Sequence, residues 1–184
     1  MNAKPYKLGI IVGRFQTFHA GHEEIIRKAI AVCQQVAIFV GSSQESGTAK
    51  NPFSYEMREN ILKKVFGNRV NVYPLPDIGV GNNSKWGDYV LENVHNRCGT
   101  APQLIISGKE ERRIGWLDSE QGKKVSEMYI AKTIEVSATQ MRDYLINGNF
   151  EQWKSYTNPN LWDDYDTLRN IVNSCKDNLD TASM

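Results

Sequence analysis

The stretch Leu8-Gly-Ile-Ile-Val12-Gly-Arg-Phe-Gln-Thr-Phe-His19-Ala-Gly-His22 decides the fold of this chain. Its first five residues are almost wholly apolar, which is typical of a short buried strand. Its end leads into residues 21–34, whose pattern predicts a helix. Ligands of parallel sheets bind beyond the carboxyl ends of the strands. We therefore expect His19 and His22 to lie at a ligand site.

The rest of the chain continues this alternation of apolar runs and helix-like segments. The predicted strands are residues 8–12, 37–40, 70–73, 104–106 and, as the weakest, 133–136. The predicted helices are residues 21–34, 54–66, 84–97, 139–147 and 158–175. This order predicts an α/β fold, namely a Rossmann-like, doubly wound parallel five-stranded sheet with C-terminal helices.

A single domain is expected, because 184 residues with 40% hydrophobic content suffice for one core. We divide it into a nucleotide-binding core at about residues 7–148, a helical C-terminal extension at residues 149–176 and a frayed tail at residues 177–184. The sequence contains no repeat and no low-complexity linker.

The composition argues against several classes of partner. The 22 Lys and Arg residues nearly balance the 21 Asp and Glu residues, without the basic excess of a nucleic-acid-binding protein. The three cysteines lie far apart without zinc spacing, which fits a reducing compartment. No signal-peptide run and no stretch of about 20 apolar residues occurs. We expect a soluble, cytoplasmic protein that binds neither nucleic acid nor membranes, and a homo-oligomer is compatible with the sequence.

The turn after the first strand has the properties of a phosphate site. A helix N-terminus offers unpaired N–H groups and about half a positive charge to an anion. Gly21 leaves room for a close approach to the backbone, and His19 and His22 are spaced to face the same side. With Arg14 nearby, we expect a polyphosphate to bind here. The alternative is structural, with two histidines that only cap a helix.

A second helix start carries similar chemistry. Ser137, Thr139 and Arg142 bring two hydroxyls and a cation to the N-terminus of the helix predicted at residues 139–147. We expect that helix to start at the same edge of the sheet as His19, so that both groups hold one polyphosphate. The alternative is again structural, because Ser137 and Gln140 have the spacing of a capping box.

Residues 13–22 resemble the G-R-F-Q-P-x-H-x-G-H segment of archaeal-type nicotinamide-mononucleotide adenylyltransferases, members of the HxGH nucleotidyltransferase superfamily. The same segment opens bifunctional bacterial proteins in which this domain is fused to a Nudix hydrolase, but the chain has no Nudix box. Residues 136–142 resemble the I-S-x-T-x-x-R motif of the superfamily. Arg14 and Gln16 favour the nicotinamide branch, whereas Thr17 replaces the usual proline. The resemblance covers residues 8 to about 162.

The resemblance implies transfer of AMP from ATP to nicotinamide mononucleotide, with NAD and pyrophosphate as products. It implies catalytic roles for Arg14, His19, His22 and Arg142. It implies ATP or phosphate contacts from Gly13, Phe15, Gln16, Gly21, Gly108, Ser137 and Thr139, and substrate contacts from Ser42, Arg58, Asp77 and Trp86. Mg2+ is the expected cofactor, held mainly by ATP phosphates and water rather than by protein ligands, because the sequence shows no cluster of carboxylates.

Three of these segments also have structural interpretations. Residues 41–58 resemble the G-S-x-Q-E-S and N-P-F-[ST]-x-x-E-R blocks of the family, with Met57 in place of Glu, but equally fit a loop that enters a helix. Trp86 is either a core anchor or the family's aromatic residue that stacks on the nicotinamide ring. Residues 108–116 resemble a G-H-x-x-D block with Lys109 in place of His, or form a solvated charge run, and their role stays open.

Two other functions are compatible with the sequence. The chain could act on another phosphorylated acceptor, such as phosphopantetheine, or use CTP as the donor. It could also be a non-catalytic nucleotide sensor, because a fold alone does not determine a function. The complete set of His19, His22, Ser137, Thr139 and Arg142 favours an enzyme, since a sensor need not keep every group that acts in the transition state.

Overall fold

A computed structural model describes residues 3–81, 83–108 and 115–181 of the chain, with side chains up to Cys175. Five strands form one sheet: β1 (Tyr6–Gly13), β2 (Cys33–Gly41), β3 (Asn71–Leu75), β4 (Leu104–Ser107) and β5 (Ser126–Tyr129). Their order is β3-β2-β1-β4-β5, and each neighbouring pair is parallel. The predicted α/β fold is confirmed, and the strand of the opening stretch, β1, is central.

The described α-helices are α1 (Ala20–Val32), α2 (Tyr55–Phe66), α3 (Ser84–Cys98), α4 (Ala138–Ile146), α5 (Phe150–Ser155) and α6 (Tyr165–Thr181). The side chains of Ser54 and Asn83 cap α2 and α3, so both helices start close to their predicted positions. β2 begins directly where α1 ends, and the helix predicted to residue 34 is therefore too long. None of the described helices is long and apolar enough to cross a membrane.

The fifth strand lies elsewhere than predicted. Residues 133–136 form no strand, and β5 instead pairs Ser126 with Leu104 and Tyr129 with Ser107 of β4. β5 is an edge strand with mostly exposed side chains, so it lacks the apolar run that marks a buried strand. The apolar character of the predicted segment has another cause, because Val136 is buried in the core beside α4.

The C-terminal region also differs from the prediction. The helix expected at residues 158–175 is divided into a 3-10 segment, Pro159–Asp164, and α6. α5 was not predicted, because its six residues are too few for a clear helical period. Its Trp153 is nevertheless buried in the core. The helical backbone continues to Thr181, further than the expected start of the frayed tail, and residues 182–184 lie outside the described residues.

Both faces of the sheet are buried, which explains the continuous apolar run of β1. Ile11 packs on the side of α1, α2 and the C-terminal helices. Leu8, Ile10 and Val12 pack on the other side with Val90 of α3. The central strand is thus packed between two helical layers. The turn that follows it lies at the carboxyl ends of the parallel strands.

Candidate active site

His19 is the N-cap of α1. Its backbone is extended, and its Nδ1 accepts a hydrogen bond of 3.2 Å from the backbone N–H of Gly21. A Cβ atom at residue 21 would lie 3.1 Å from Cε1 of the imidazole, so any side chain there would crowd the ring of His19. Burial, assisted by the charge of Lys132, lowers the pKa of His19 to about 4. At neutral pH the ring is therefore uncharged, and its Nε2–H is available as a hydrogen-bond donor.

His22 lies beside His19, as the spacing of the two residues predicts. The two rings stack with centroids 3.9 Å apart and an interplanar angle of 29°. Phe15 also packs against His22, with ring centroids 4.9 Å apart, and is itself 2% exposed. The ring of Phe15 thus helps to position His22, whereas the resemblance had implied a nucleotide contact for it.

Part of the N-terminus of α1 is already paired within the protein. The N–H of Ala20 donates a hydrogen bond of 2.8 Å to the carbonyl of Tyr156, which follows α5. Asn158 donates to Glu23 in the first turn of α1 at 2.9 Å. The C-terminal helices therefore position the helix that carries both histidines, which no sequence motif indicated.

Gln16 connects the first turn to the loop before α2. Its side-chain amide donates to the carbonyl of Phe53 at 2.8 Å and accepts from the N–H of Phe53 at 2.9 Å. The side chain is 3% exposed, and both of its polar atoms are occupied. Gln16 therefore holds two loops together in this structure, whereas the resemblance implied a contact with the nucleotide.

Arg58 was expected to contact a phosphate or the substrate, but the structure gives it a different environment. Its side chain is fully buried, and its guanidinium donates to the carbonyls of Ser54, Arg14, Gly41 and Ser42 at 2.9–3.1 Å. These carbonyls belong to the turns after β1 and β2 and to the cap of α2. Arg58 thus holds the loops of the site in place by hydrogen bonds to their backbone, with its charge directed at protein groups.

The second helix start meets the first at the same edge of the sheet. Ser137 caps α4 by accepting from the N–H of Gln140 at 3.2 Å. The side-chain amide of Gln140 donates to the hydroxyl of Tyr144 and does not bond back to Ser137. Only half of the predicted capping box therefore forms. Arg142 donates to Thr139 at 3.2 Å and to the carbonyl of Gln16 at 2.5 Å.

The two site arginines form a positive region. Burial and the neighbouring charge of Arg14 lower the pKa of Arg142, which shows that the two cations influence each other. Arg14 is exposed, and its guanidinium donates to Asn51 at 3.4 Å. Asn51 is buried and bonds in turn to Glu45. The asparagine stood in a motif block of the sequence, but its role in holding Arg14 follows only from the fold.

The loops after β2 and β3 bring Ser42 and Asp77 together. The hydroxyl of Ser42 donates to the carboxylate of Asp77 at 2.6 Å, and Gln44 accepts from the N–H of Asp77 at 3.0 Å. Two of the four predicted substrate residues, Ser42 and Asp77, therefore lie in one polar cluster. The carboxylate is partly occupied by the serine and still has capacity to accept further hydrogen bonds.

Trp86 is packed as a core anchor. It is 8% exposed and contacts Tyr89 and Trp116 with ring centroids 5.4 Å and 6.0 Å away. This environment supports the structural interpretation of the tryptophan. Gly108 follows β4, and a Cβ atom there would lie 2.6 Å from the end of the Ile25 side chain in α1, so the glycine lets the two elements pack closely. Residues 109–114 of the predicted charge run lie outside the described residues.

The chain is similar in sequence to archaeal enzymes that share one name. The nicotinamide-nucleotide adenylyltransferase of Pyrococcus horikoshii is 32% identical over 151 residues, which cover 79% of this chain and 75% of that protein. The enzyme of the same name from Picrophilus torridus is 32% identical over 153 residues, covering 81% and 84%.

A solved structure supports the fold. It is a bifunctional NMN adenylyltransferase/ADP ribose pyrophosphatase from Francisella tularensis complexed with AMP and an Mn ion. Its TM-score is 0.74 at 22% identity, and the match covers 92% of this chain and 52% of that one. The chain thus spans about half of the bifunctional protein. The resemblance inferred from residues 13–22 and 136–142 is confirmed. Residues 10–144 match the cytidylyltransferase-like family, and the chain belongs to this family.

Proposed function

We propose that this protein transfers AMP from ATP to nicotinamide mononucleotide and releases NAD and pyrophosphate. The observation that carries the proposal is the hydrogen bond between Arg142 and the carbonyl of Gln16, which joins the two helix starts into one anion-binding surface. The names of the archaeal relatives support the acceptor. Their shared name makes nicotinamide mononucleotide a better candidate than phosphopantetheine, and an adenylyl donor a better candidate than CTP.

The reaction needs no nucleophile from the protein. A phosphate oxygen of nicotinamide mononucleotide attacks the α-phosphorus of ATP and forms the new P–O bond. The bond from the α-phosphorus to the oxygen that bridges to the β-phosphate breaks, and its electron pair leaves with pyrophosphate. Because the attacking group is already an oxyanion, catalysis rests on positioning and on charge stabilisation.

Different site residues stabilise different phosphate groups of ATP. We assign His22 to the α-phosphate, where negative charge develops in the transition state. His19, uncharged at neutral pH, donates its Nε2–H to a neighbouring phosphate oxygen. Arg14, Thr139 and Arg142 hold the β- and γ-phosphates that leave. Arg58 and Gln16 act indirectly, through the backbone that they hold.

A divalent cation fits this site only through the phosphates. Among residues 3–81, 83–108 and 115–175, no group of three His, Cys, Asp or Glu side chains could hold a metal ion. The donors around the helix starts are N–H groups and guanidinium groups, which bind anions. We therefore assign the ion, proposed to be Mg2+, to ATP phosphate oxygens and water, where it would neutralise charge on the leaving group.

The acceptor is placed at the loops after β2 and β3. Ser42 and Asp77 offer a hydroxyl and a carboxylate close to the anion-binding surface. Trp86 lies in the first turn of α3, and any stacking on the nicotinamide ring would use the small part of the indole that is exposed.

A substrate panel tests the proposed function. The purified protein is incubated with Mg2+ and either ATP or CTP, together with nicotinamide mononucleotide or phosphopantetheine, and pyrophosphate release is measured. We expect turnover with ATP and nicotinamide mononucleotide, and NAD as the product. His22→Ala serves as the control that assigns the activity to this site. Robust turnover of phosphopantetheine without any NAD formation would overturn the acceptor assignment.

A further inference from the structure

The loop between β5 and α4, residues 130–137, is anchored at several points. The N–H of Ile130 donates to the carbonyl of Ser107 at 2.9 Å, which continues the pairing of β5. Thr133 donates to the carboxylate of Glu24 in α1 at 2.6 Å. Val136 is buried at the other end of the loop. The residue next to Thr133, Lys132, is thereby held close to the first turn of α1.

The ammonium group of Lys132 has a weak and replaceable partner. It forms an ion pair of 3.0 Å with Glu135, three residues further along the same loop. The two side chains are 51% and 84% exposed, and ion pairs in such surroundings contribute little to stability. Glu135 therefore resembles a stand-in anion that a phosphate group can replace.

The charge of Lys132 reaches the site itself. It is the neighbouring charge that lowers the pKa of His19, in addition to burial. Its position relative to the histidines is fixed by the bond between Thr133 and Glu24, since Glu24 lies in the same helix as His22. The charge of Lys132 therefore acts on the cap residue of α1.

A further cation at this site would have phosphate groups to bind. A bound triphosphate carries several negative charges, and its leaving group gains further charge during the reaction. Of the residues assigned to the phosphates above, Arg14 and Arg142 are cations, whereas His19 is uncharged at neutral pH. Lys132, whose charge acts on His19, would add a third cation to this surface.

We propose that Lys132 binds the β- and γ-phosphates of ATP and the departing pyrophosphate, and that Glu135 holds its ammonium group while the site is empty. The proposal rests on the proposed function only in taking ATP as the donor. The identity of the acceptor does not affect it.

Binding of ATP and AMP to Lys132→Gln tests the proposal, measured by isothermal titration calorimetry. We expect the Kd for ATP to rise about tenfold, because a hydrogen bond to a charged group is lost. The Kd for AMP should change less than about twofold, since AMP lacks the β- and γ-phosphates. Lys132→Arg should retain most of the ATP affinity.

Lys123→Gln is the matched control. Lys123 forms a similar exposed ion pair of 2.9 Å with Glu120, three residues away. Because Lys123 precedes β5, it lies at the amino end of that strand, whereas Lys132 follows the carboxyl end. Its removal should leave the ATP affinity unchanged. Equal ATP affinity in Lys132→Gln and Lys123→Gln, or an equal loss of ATP and AMP in Lys132→Gln, would overturn the assignment of Lys132.

Glu135→Gln tests the second half of the proposal. As a single substitution, Glu135→Gln should strengthen ATP binding. Combined with Lys132→Gln, it should have no effect on ATP binding. The same effect in both backgrounds would remove Glu135 from the proposal. These outcomes are separate from those of the proposed function: wild-type protein that binds ATP but forms no NAD refutes the acceptor, whereas the comparison of ATP with AMP refutes or supports Lys132 alone.

Discussion

The guanidinium of Arg142 donates a hydrogen bond of 2.5 Å to the backbone carbonyl of Gln16, although the two residues are 126 positions apart. Arg142 lies in the first turns of α4, and Gln16 lies in the turn between β1 and α1. The bond therefore joins the two predicted phosphate sites. A single ATP molecule can contact both helix starts only if they are adjacent. The hydrogen bond between Arg142 and Gln16 shows that they are.

His22→Ala should turn over very slowly while it still binds ATP. A preorganised donor that acts on charge in the transition state contributes about 10²–10³ in kcat. The Kd for ATP should change only severalfold, because binding of the ground state is not what is lost. His22→Asn should recover part of the rate, since its amide can donate a hydrogen bond. The measurements are kcat, the Kd for ATP and the melting temperature. A near-normal kcat in a folded His22→Ala protein would refute the role.

His19 should make the protein less stable in weak acid. Its pKa is about 4 in the folded protein and near 6.5 in the unfolded chain, so the unfolded state takes up the proton first. Its contribution to the free energy of unfolding is present above pH 6.5 and is lost as the pH falls towards 4, by about 3 kcal/mol in total. Urea unfolding of wild type and His19→Gln across this range measures it. We expect the variant to lack this component, because it has no imidazole at the cap of α1.

Trp86→Ala should destabilise the fold by about 3–5 kcal/mol, because it removes a buried indole from the cluster with Trp116 and Tyr89. Trp86→Phe keeps an aromatic ring and should fold. If the indole also stacks on the pyridinium, this variant should weaken nicotinamide-mononucleotide binding by up to about 1–2 kcal/mol and leave ATP binding unchanged. Calorimetric titration of both ligands decides the point. Unchanged affinity for nicotinamide mononucleotide in Trp86→Phe would leave Trp86 a core residue only.

Arg58→Met should destabilise the protein by about 3–5 kcal/mol, because several buried acceptors are left without a donor. The four carbonyls that Arg58 contacts would lose their donor in a buried environment. Arg69→Met is the control, because exposed Arg69 also bonds two carbonyls, which water can then solvate. Denaturant unfolding measures both variants. Equal stability losses in the two would contradict the positioning role of Arg58.

Thr17→Val should stabilise the protein by about 1 kcal/mol. The hydroxyl of Thr17 is buried and has no hydrogen-bond partner among the described residues, so its removal relieves a desolvation penalty. Thr157→Val should have the opposite sign, because the buried hydroxyl of Thr157 donates to the carbonyl of Trp153 at 2.7 Å. Thermal and urea unfolding compare the two. A loss of stability in both variants would show that the hydroxyl of Thr17 is satisfied in solution.

Local patterns in the sequence determined the central features of the fold and of the site. The apolar run of β1 indicates a strand that is covered on both faces. This pattern lies within the strand itself and can be recognised without the rest of the chain. The cap of α4 was visible as Ser137, since a capping side chain and its helix are adjacent. The contact of His19 with His22 likewise follows from a three-residue spacing.

Only the tertiary structure decided which distant groups each polar side chain meets. Arg58 and Gln16 have the residue types of ligands, yet they bond to the backbone of loops that the fold brings beside them. Lys132 lies near His19 because β5 pairs as an exposed edge strand, which carries no apolar pattern to predict it. A local pattern reports burial and turn geometry within a few residues. The partner of a donor or a charge depends on packing between elements far apart in the chain, and the sequence around that residue does not contain this information.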